Sequence, residues 1–132
     1  MRLKISKEKK IVHKNGQLIV FQRSKKIKFD MKRVFIVKSN KNQIRGKHAH
    51  KKCTQLLNCP NGIVEIYCEN ESGKKNKYIL AKPEQYLIVP PLVWCTQIYK
   101  KNNSILLVIC DKKFQETDYI RNYKIFKKFK KI

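Results

Sequence analysis

Two of the chain's three histidines stand two residues apart in the stretch Arg45-Gly46-Lys47-His48-Ala49-His50. Side chains of an extended strand alternate between its two faces, so His48 and His50 are expected on one face. Imidazole exchanges protons near neutral pH and is also the commonest metal ligand. A pair on one sheet face is therefore half a metal site, an acid–base device, or two satisfied core side chains. Gly46 permits a bulge or an unusual turn, which would aim Arg45 at the same cavity. A guanidinium grips an oxyanion through a planar two-pronged contact, so Arg45 beside two histidines suits a phosphate-bearing ligand.

The elements that must position these residues read as strands. Apolar, β-branched and alternating runs occur at Gly16 to Phe21, Val34 to Val37, Gln55 to Leu57, Ile63 to Cys68, Tyr78 to Leu80, Tyr86 to Val89, Trp94 to Tyr99 and Ile105 to Cys110. Turn residues separate them, most plainly Asn58-Cys59-Pro60-Asn61-Gly62 and Pro90-Pro91. The segment to about residue 14 reads as basic and irregular. From Gln115 to Ile132 the spacing of Tyr119, Tyr123 and Phe126 predicts a helix. Many short strands at regular spacing and no intervening helices predict an all-β barrel or sandwich with a short C-terminal helix.

The 132 residues are one domain's worth of chain, enough to bury a core without staples. Lysines break up the first twenty residues and no apolar run approaches membrane-spanning length, so the expectation is a soluble, cytoplasmic protein with no membrane partner. Five cysteines, an odd number with no Cys-x-x-Cys pair, read as reduced strand residues. The net charge of +23 would draw an anionic ligand. The lysines are nevertheless scattered, and the aromatics are not arrayed with them on a binding face. A nucleic-acid or acidic-polysaccharide binding module is the weaker reading.

The spacing His48-x-His50-x4-Gln55-x6-Gly62 resembles the first motif of the cupins, a jelly-roll family. Metal-binding cupins usually carry glutamate where Gln55 stands, and a histidine where this chain has Cys95, after the turn Pro90-Pro91-Leu92-Val93-Trp94. Two imidazoles, one thiol and one amide make an unusual ligand set. The reading is a site without metal or other cofactor, and a metal-dependent cupin enzyme remains an alternative.

A closer resemblance is to the nucleotide-sugar 3,4-ketoisomerases, small cupins acting on dTDP-4-keto-6-deoxyglucose. It rests on Phe29 to Phe35, on Arg45 to Lys51, on Gln55-Leu56-Leu57, on Ile88 to Trp94 and on Asp118-Tyr119-Ile120-Arg121-Asn122-Tyr123. It implies a cupin-type jelly-roll β-barrel, a homodimer, no required metal, and a dTDP-linked keto sugar as substrate. The reaction implied moves the keto group from C4 to C3 through an enediol or enediolate, on the way to an unusual deoxy amino sugar of a lipopolysaccharide or glycan. His48 and His50 would transfer the proton. Arg45, Gln55, Trp94, Arg121 and the departures Asn15 and Cys95 would meet the substrate. A nucleotide-sugar epimerase is a neighbouring alternative.

Overall fold

The computed structural model describes residues 3–129. In chain order the strands are β1 (Ser6–Lys7), β2 (Lys10–His13), β3 (Gly16–Ile19), β4 (Arg33–Ser39), β5 (Ile44–His50) and β6 (Gln55–Asn61). They continue as β7 (Val64–Glu69), β8 (Lys75–Leu80), β9 (Gln85–Val89), β10 (Trp94–Tyr99), β11 (Ser104–Cys110) and β12 (Tyr119–Ile120). A 3-10 turn at Glu116–Asp118 precedes β12, and one helix, α1 (Tyr123–Lys128), follows it.

Two five-stranded antiparallel sheets form the body, in the orders β1-β9-β6-β11-β4 and β12-β5-β10-β7-β8. Leu57, Val64, Ile66, Leu80, Leu87, Tyr99, Leu106 and Val108 fill the space between them. This is the jelly roll expected. The two-residue period explains it locally. Along β4, Arg33, Phe35 and Val37 turn inward while Val34 and Ile36 face out. Along β10, Cys95, Gln97 and Tyr99 are buried while Trp94, Thr96 and Ile98 sit on the other face. A second apolar layer covers the outside of β6 and β9, where Ile27, Phe21 and Phe29 pack on Leu56 and Tyr86. The five cysteines are buried and unbridged.

Three expectations need correcting. Within the expected irregular segment, residues 3–14 carry strands: β1 joins the first sheet beside β9, and β2 pairs with β3 as a separate hairpin, while residues 1 and 2 lie outside the described residues. The lysines around Ile11 and Val12 hide a strand whose two faces are both open to solvent. The turn expected at Asn58–Gly62 falls later. Strand β6 runs on through Pro60, and a bulge against β11 between Ile105 and Leu107 absorbs a residue with no N–H to give. Gly62 makes the actual turn, at φ +89° with Ser104 so close that no Cβ fits. The helix expected over Gln115 to Ile132 is confined to Tyr123–Lys128, with Asn122 capping it by accepting from Ile125 N at 3.0 Å. Residues 130–132 of that expectation lie outside the described residues. Tyr119 belongs instead to β12, which adds to the edge of β5.

Candidate active site

The last turn of β5 carries the histidine pair. Gly46 has φ +86° and Lys47 φ +60°, and the pairing of β10 with β5 slips at the same place. A Cβ on Gly46 would stand 3.1 Å from Cys95 O and 3.3 Å from the Gln97 amide nitrogen, so glycine lets the two strands approach. Beyond the bulge the rings of His48 and His50 meet edge to face, with centroids 5.1 Å apart. Strand β12 lays Tyr119 against both, 5.1 Å from His48 and 4.3 Å from His50.

A cavity of about 250 Å³ opens between the sheets at this end. Arg45, His48, Gln55 and Arg121, all expected site residues, line it together with Arg33, Gln97, Phe114 and Tyr119. His50 lies one layer back, 6 % exposed. Its Nδ1 is 3.0 Å from Asp118 Oδ2. A carboxylate only accepts, so Nδ1 carries the proton and Nε2 keeps the lone pair of the neutral ring. Asp118 is fixed in turn by the backbone N–H groups of Lys52 and Cys53, at 2.8 and 3.3 Å. Arg33 donates to the Tyr119 hydroxyl at 3.1 Å and stacks over Phe35 and Phe114. Arg121 covers the Tyr119 ring at 4.1 Å and holds Glu116 through two bonds of 2.7 and 2.9 Å.

Burial pushes the His48 pKa down to about 4, reinforced by the His50 and Arg121 charges and opposed by Glu116. Burial also lowers His50, against the pull of Asp118. Both rings are therefore neutral at pH 7, and each hides an unpartnered nitrogen: Nδ1 of His48 and Nε2 of His50 are buried with no hydrogen bond. Two unsatisfied imidazole nitrogens side by side are bases waiting for a proton or a donor from outside the chain.

The other three expected residues lie elsewhere. Trp94 faces outward against Tyr123 and Phe126, at 5.4 and 5.6 Å, beside a separate groove of about 530 Å³. Cys95 lies in the apolar core with its sulfur 3.5 Å from that of Cys68, and burial and that contact hold its thiol well above the ordinary range. Asn15 is exposed at the tip of the β2–β3 hairpin and does not line the cavity. Conversely, the site also uses Tyr119, Asp118, Arg33, Gln97 and Phe114, none of them among the expected site residues. The string Asp118 to Tyr123 holds the signal for two of them, although Arg121 is its one expected site residue.

A metal at the cupin position would need donors at Gln55 and Cys95. Cys95 is turned to Cys68 and Gln55 donates to the Cys110 sulfur at 3.4 Å. These residues do not make the cupin metal set.

Two antiparallel sheets enclosing a polar cavity with paired imidazoles and several guanidinium groups make a cupin-like jelly-roll barrel. The family described as FdtA: WxcM-like, C-terminal matches residues 1–131, and the chain belongs to it. The TDP-4-oxo-6-deoxy-alpha-D-glucose-3,4-oxoisomerase of Aneurinibacillus thermoaerophilus is 34 % identical over 130 residues, 98 % of this chain and 93 % of that one. Among solved structures, a histidine-to-asparagine variant of the 3,4-ketoisomerase QdtA from Thermoanaerobacterium thermosaccharolyticum, in complex with TDP-4-keto-6-deoxyglucose, superposes with a TM-score of 0.89. It is 34 % identical, over 96 % of this chain and 91 % of its own. A 3,4-ketoisomerase from Helicobacter canadensis gives 0.90 at 29 % identity, over 97 % and 96 %.

Proposed function

We propose that this chain is a sugar 3,4-ketoisomerase acting on dTDP-4-keto-6-deoxyglucose, with no metal required. The observation that carries the reading is the pair of buried, unpartnered imidazole nitrogens beside an arginine-lined cavity. The relatives' activities support it. The C4 ketone acidifies the hydrogen on C3. His48, which lines the cavity as a neutral base, takes that proton to leave an enediolate; a proton passes from O3 to O4, and His48, its proton exchanged with solvent, delivers one to C4, so the ketone moves to C3. His50, held by Asp118, backs His48 edge-on and supplies the second basic nitrogen. Arg33 and Arg121 supply positive charge that favours the enediolate. Arg45, at the exposed end of the cavity and without an ion-pair partner among the described residues, suits the diphosphate. Gln55 offers its amide to a sugar oxygen.

The working form is a homodimer. A lone two-stranded hairpin is marginal in water, and β2–β3 leaves Val12 and Leu18 exposed, as β4 at its sheet edge leaves Val34 and Ile36. A second copy would cover these apolar rows. It is also the route by which Asn15, on the hairpin tip, would meet substrate.

The test is incubation with dTDP-4-keto-6-deoxyglucose in deuterated water, followed by proton NMR. The expected result is a 3-keto product carrying solvent deuterium at C4. Unchanged substrate after prolonged incubation would remove the reading. Deuterium exchange at C3 or C5 without keto migration would favour the epimerase.

A further inference from the structure

On its Nδ1 side the His50 ring backs onto a second cluster of donors. A ring nitrogen of His50, Sγ of Cys53 and a carboxylate oxygen of Asp118 all lie within 4.8 Å of one another, the one such grouping found among the described residues, and Nδ1 is the nitrogen that faces Asp118, at 3.0 Å. The fold assembles it at short range. His50 ends β5, Cys53 follows after a tight bend, and the 3-10 turn delivers Asp118 just ahead of β12, which pairs with β5. A fourth donor is adjacent. Cys110, on β11 opposite Gln55, neighbours the Cys53 thiol and receives the Gln55 amide at 3.4 Å. The Cys53 thiol donates to Thr54 O at 3.5 Å, and its nearness holds the Cys110 thiol below the ordinary range despite burial. Proton transfer in the cavity uses neither cysteine.

We propose that His50, Cys53, Asp118 and Cys110 form a binding site for a thiophilic divalent cation of the zinc type, and that filling it shuts off the histidine pair. One imidazole, one carboxylate and two thiolates are a zinc donor set, with bonds of about 2.0–2.3 Å. Those bonds put neighbouring donors roughly 3.3–3.8 Å apart in a tetrahedron, so the three donors within 4.8 Å need close by only about an ångström, and Cys110 moves in from β11 as the fourth. Hard cations that prefer oxygen shells are excluded by the two sulfurs. Binding releases two protons, from the two thiols, moves the His50 ring proton from Nδ1 to Nε2, and changes no oxidation state.

The consequence for catalysis follows from the tautomer. With Nδ1–H donated to Asp118, neutral His50 keeps its lone pair on Nε2. With a metal on Nδ1, the neutral ring must carry its proton on Nε2, and that nitrogen ceases to be a base. The ion's charge also sits one ring behind His48 and opposes the protonation that the enediolate step requires. The effect on turnover rests on the ketoisomerase reading above; the site itself does not.

The full chain is titrated with cadmium, whose bond to thiolate gives an ultraviolet charge-transfer band, and in parallel with zinc during the isomerase assay. The expected result is a band saturating near one cadmium per chain, lost in Cys53→Ser and weakened in Cys110→Ala. Zinc at the saturating level lowers wild-type turnover at least about ten-fold and leaves Cys53→Ser, active to within about two-fold without metal, unaffected. No band in the wild type overturns the proposal. So does a band that survives Cys53→Ser but disappears in Cys68→Ala, since that puts the metal on the Cys68–Cys95 pair. Equal zinc inhibition of wild type and Cys53→Ser overturns the coupling to catalysis. A band lost in Cys53→Ser from a protein that isomerises no sugar leaves the metal site standing and removes the functional reading instead.

Discussion

Asn58 on β6 and His48 on β5 are both polar side chains covered by other parts of the chain, and they differ in what holds them. The Asn58 amide, 1 % exposed, donates to Pro83 O at 2.7 Å and to Gln85 O at 2.8 Å. Ser104, fully buried, donates to Lys101 O at 2.8 Å. These groups tie loops to sheets, and their hydrogen-bonding capacity is spent inside the fold. His48 and His50 each keep a buried nitrogen with nothing to bond. The one other such atom among the described residues is Glu84 Oε1, whose sister oxygen stands 3.8 Å from Lys10. A buried polar atom left unpaired costs about 1–3 kcal/mol. Two of them side by side, one on a ring that lines the cavity and one on the ring behind it, mean that stability has been given up where a ligand supplies the missing partner. Where every bond is made, the residue is structural; where the count fails in a cavity, chemistry is available.

The sharpest way to break this contrast is to delete members of each group. His48→Ala and His50→Ala should fold, and at least one should lose turnover by a factor of about 10² or more, as removal of a general base does. Asn58→Ala should do the reverse: it loses two buried bonds, about 1–3 kcal/mol of stability, and keeps its turnover. Denaturant melts and isomerase rates on the three variants read both quantities. Near-normal turnover in both histidine variants would end the catalytic assignment.

Acid should separate the regions next. His48 titrates near 6.5 when unfolded and at about 4 when folded. Between those values the unfolded chain binds more protons, so stability rises with pH across the window and is lost as pH falls toward 4. The loss from this one ring is about 2–3 kcal/mol at pH 4.5 relative to pH 7. The His48→Gln variant should therefore lose correspondingly less stability than wild type over the same interval. Parallel urea melts at the two pH values test it, and equal losses would mean that the ring is not desolvated.

Much of this contrast was legible from the residue order, and the misses have physical causes. The period of two put His48 and His50 together, and Gly46 signalled the bulge that brings Arg45 to the cavity. The same period excludes Trp94 and Cys95 from one surface, because adjacent strand residues face opposite ways. Expecting both at the sugar set the resemblance above the geometry. The spacing of Tyr119 from Tyr123 and Phe126 happens to fit a helix, whereas pairing of β12 with β5 makes it a strand residue. Asp118 lies 68 residues from the ring it holds, and nothing local announces such a contact. Asn58 looked like turn residue because Pro60 follows it; the bulge that carries the strand past the proline is a property of β11, not of the segment itself.

The smallest expected effect concerns Trp94, which separates the inner face of β10 from its outer one. Its indole packs against Tyr123 and Phe126 and anchors α1 to the outside of the sheet. Phenylalanine keeps an aromatic ring in that cluster while removing the larger surface. Trp94→Phe should therefore cost about 1 kcal/mol of stability, with kcat and KM for the nucleotide sugar within about two-fold of wild type. A ten-fold rise in KM with unchanged kcat would show that substrate reaches the outer groove between Trp94, Tyr67 and Tyr123. The division between an inner reactive face and an outer packing face would then fail at β10, along which the alternation runs unbroken.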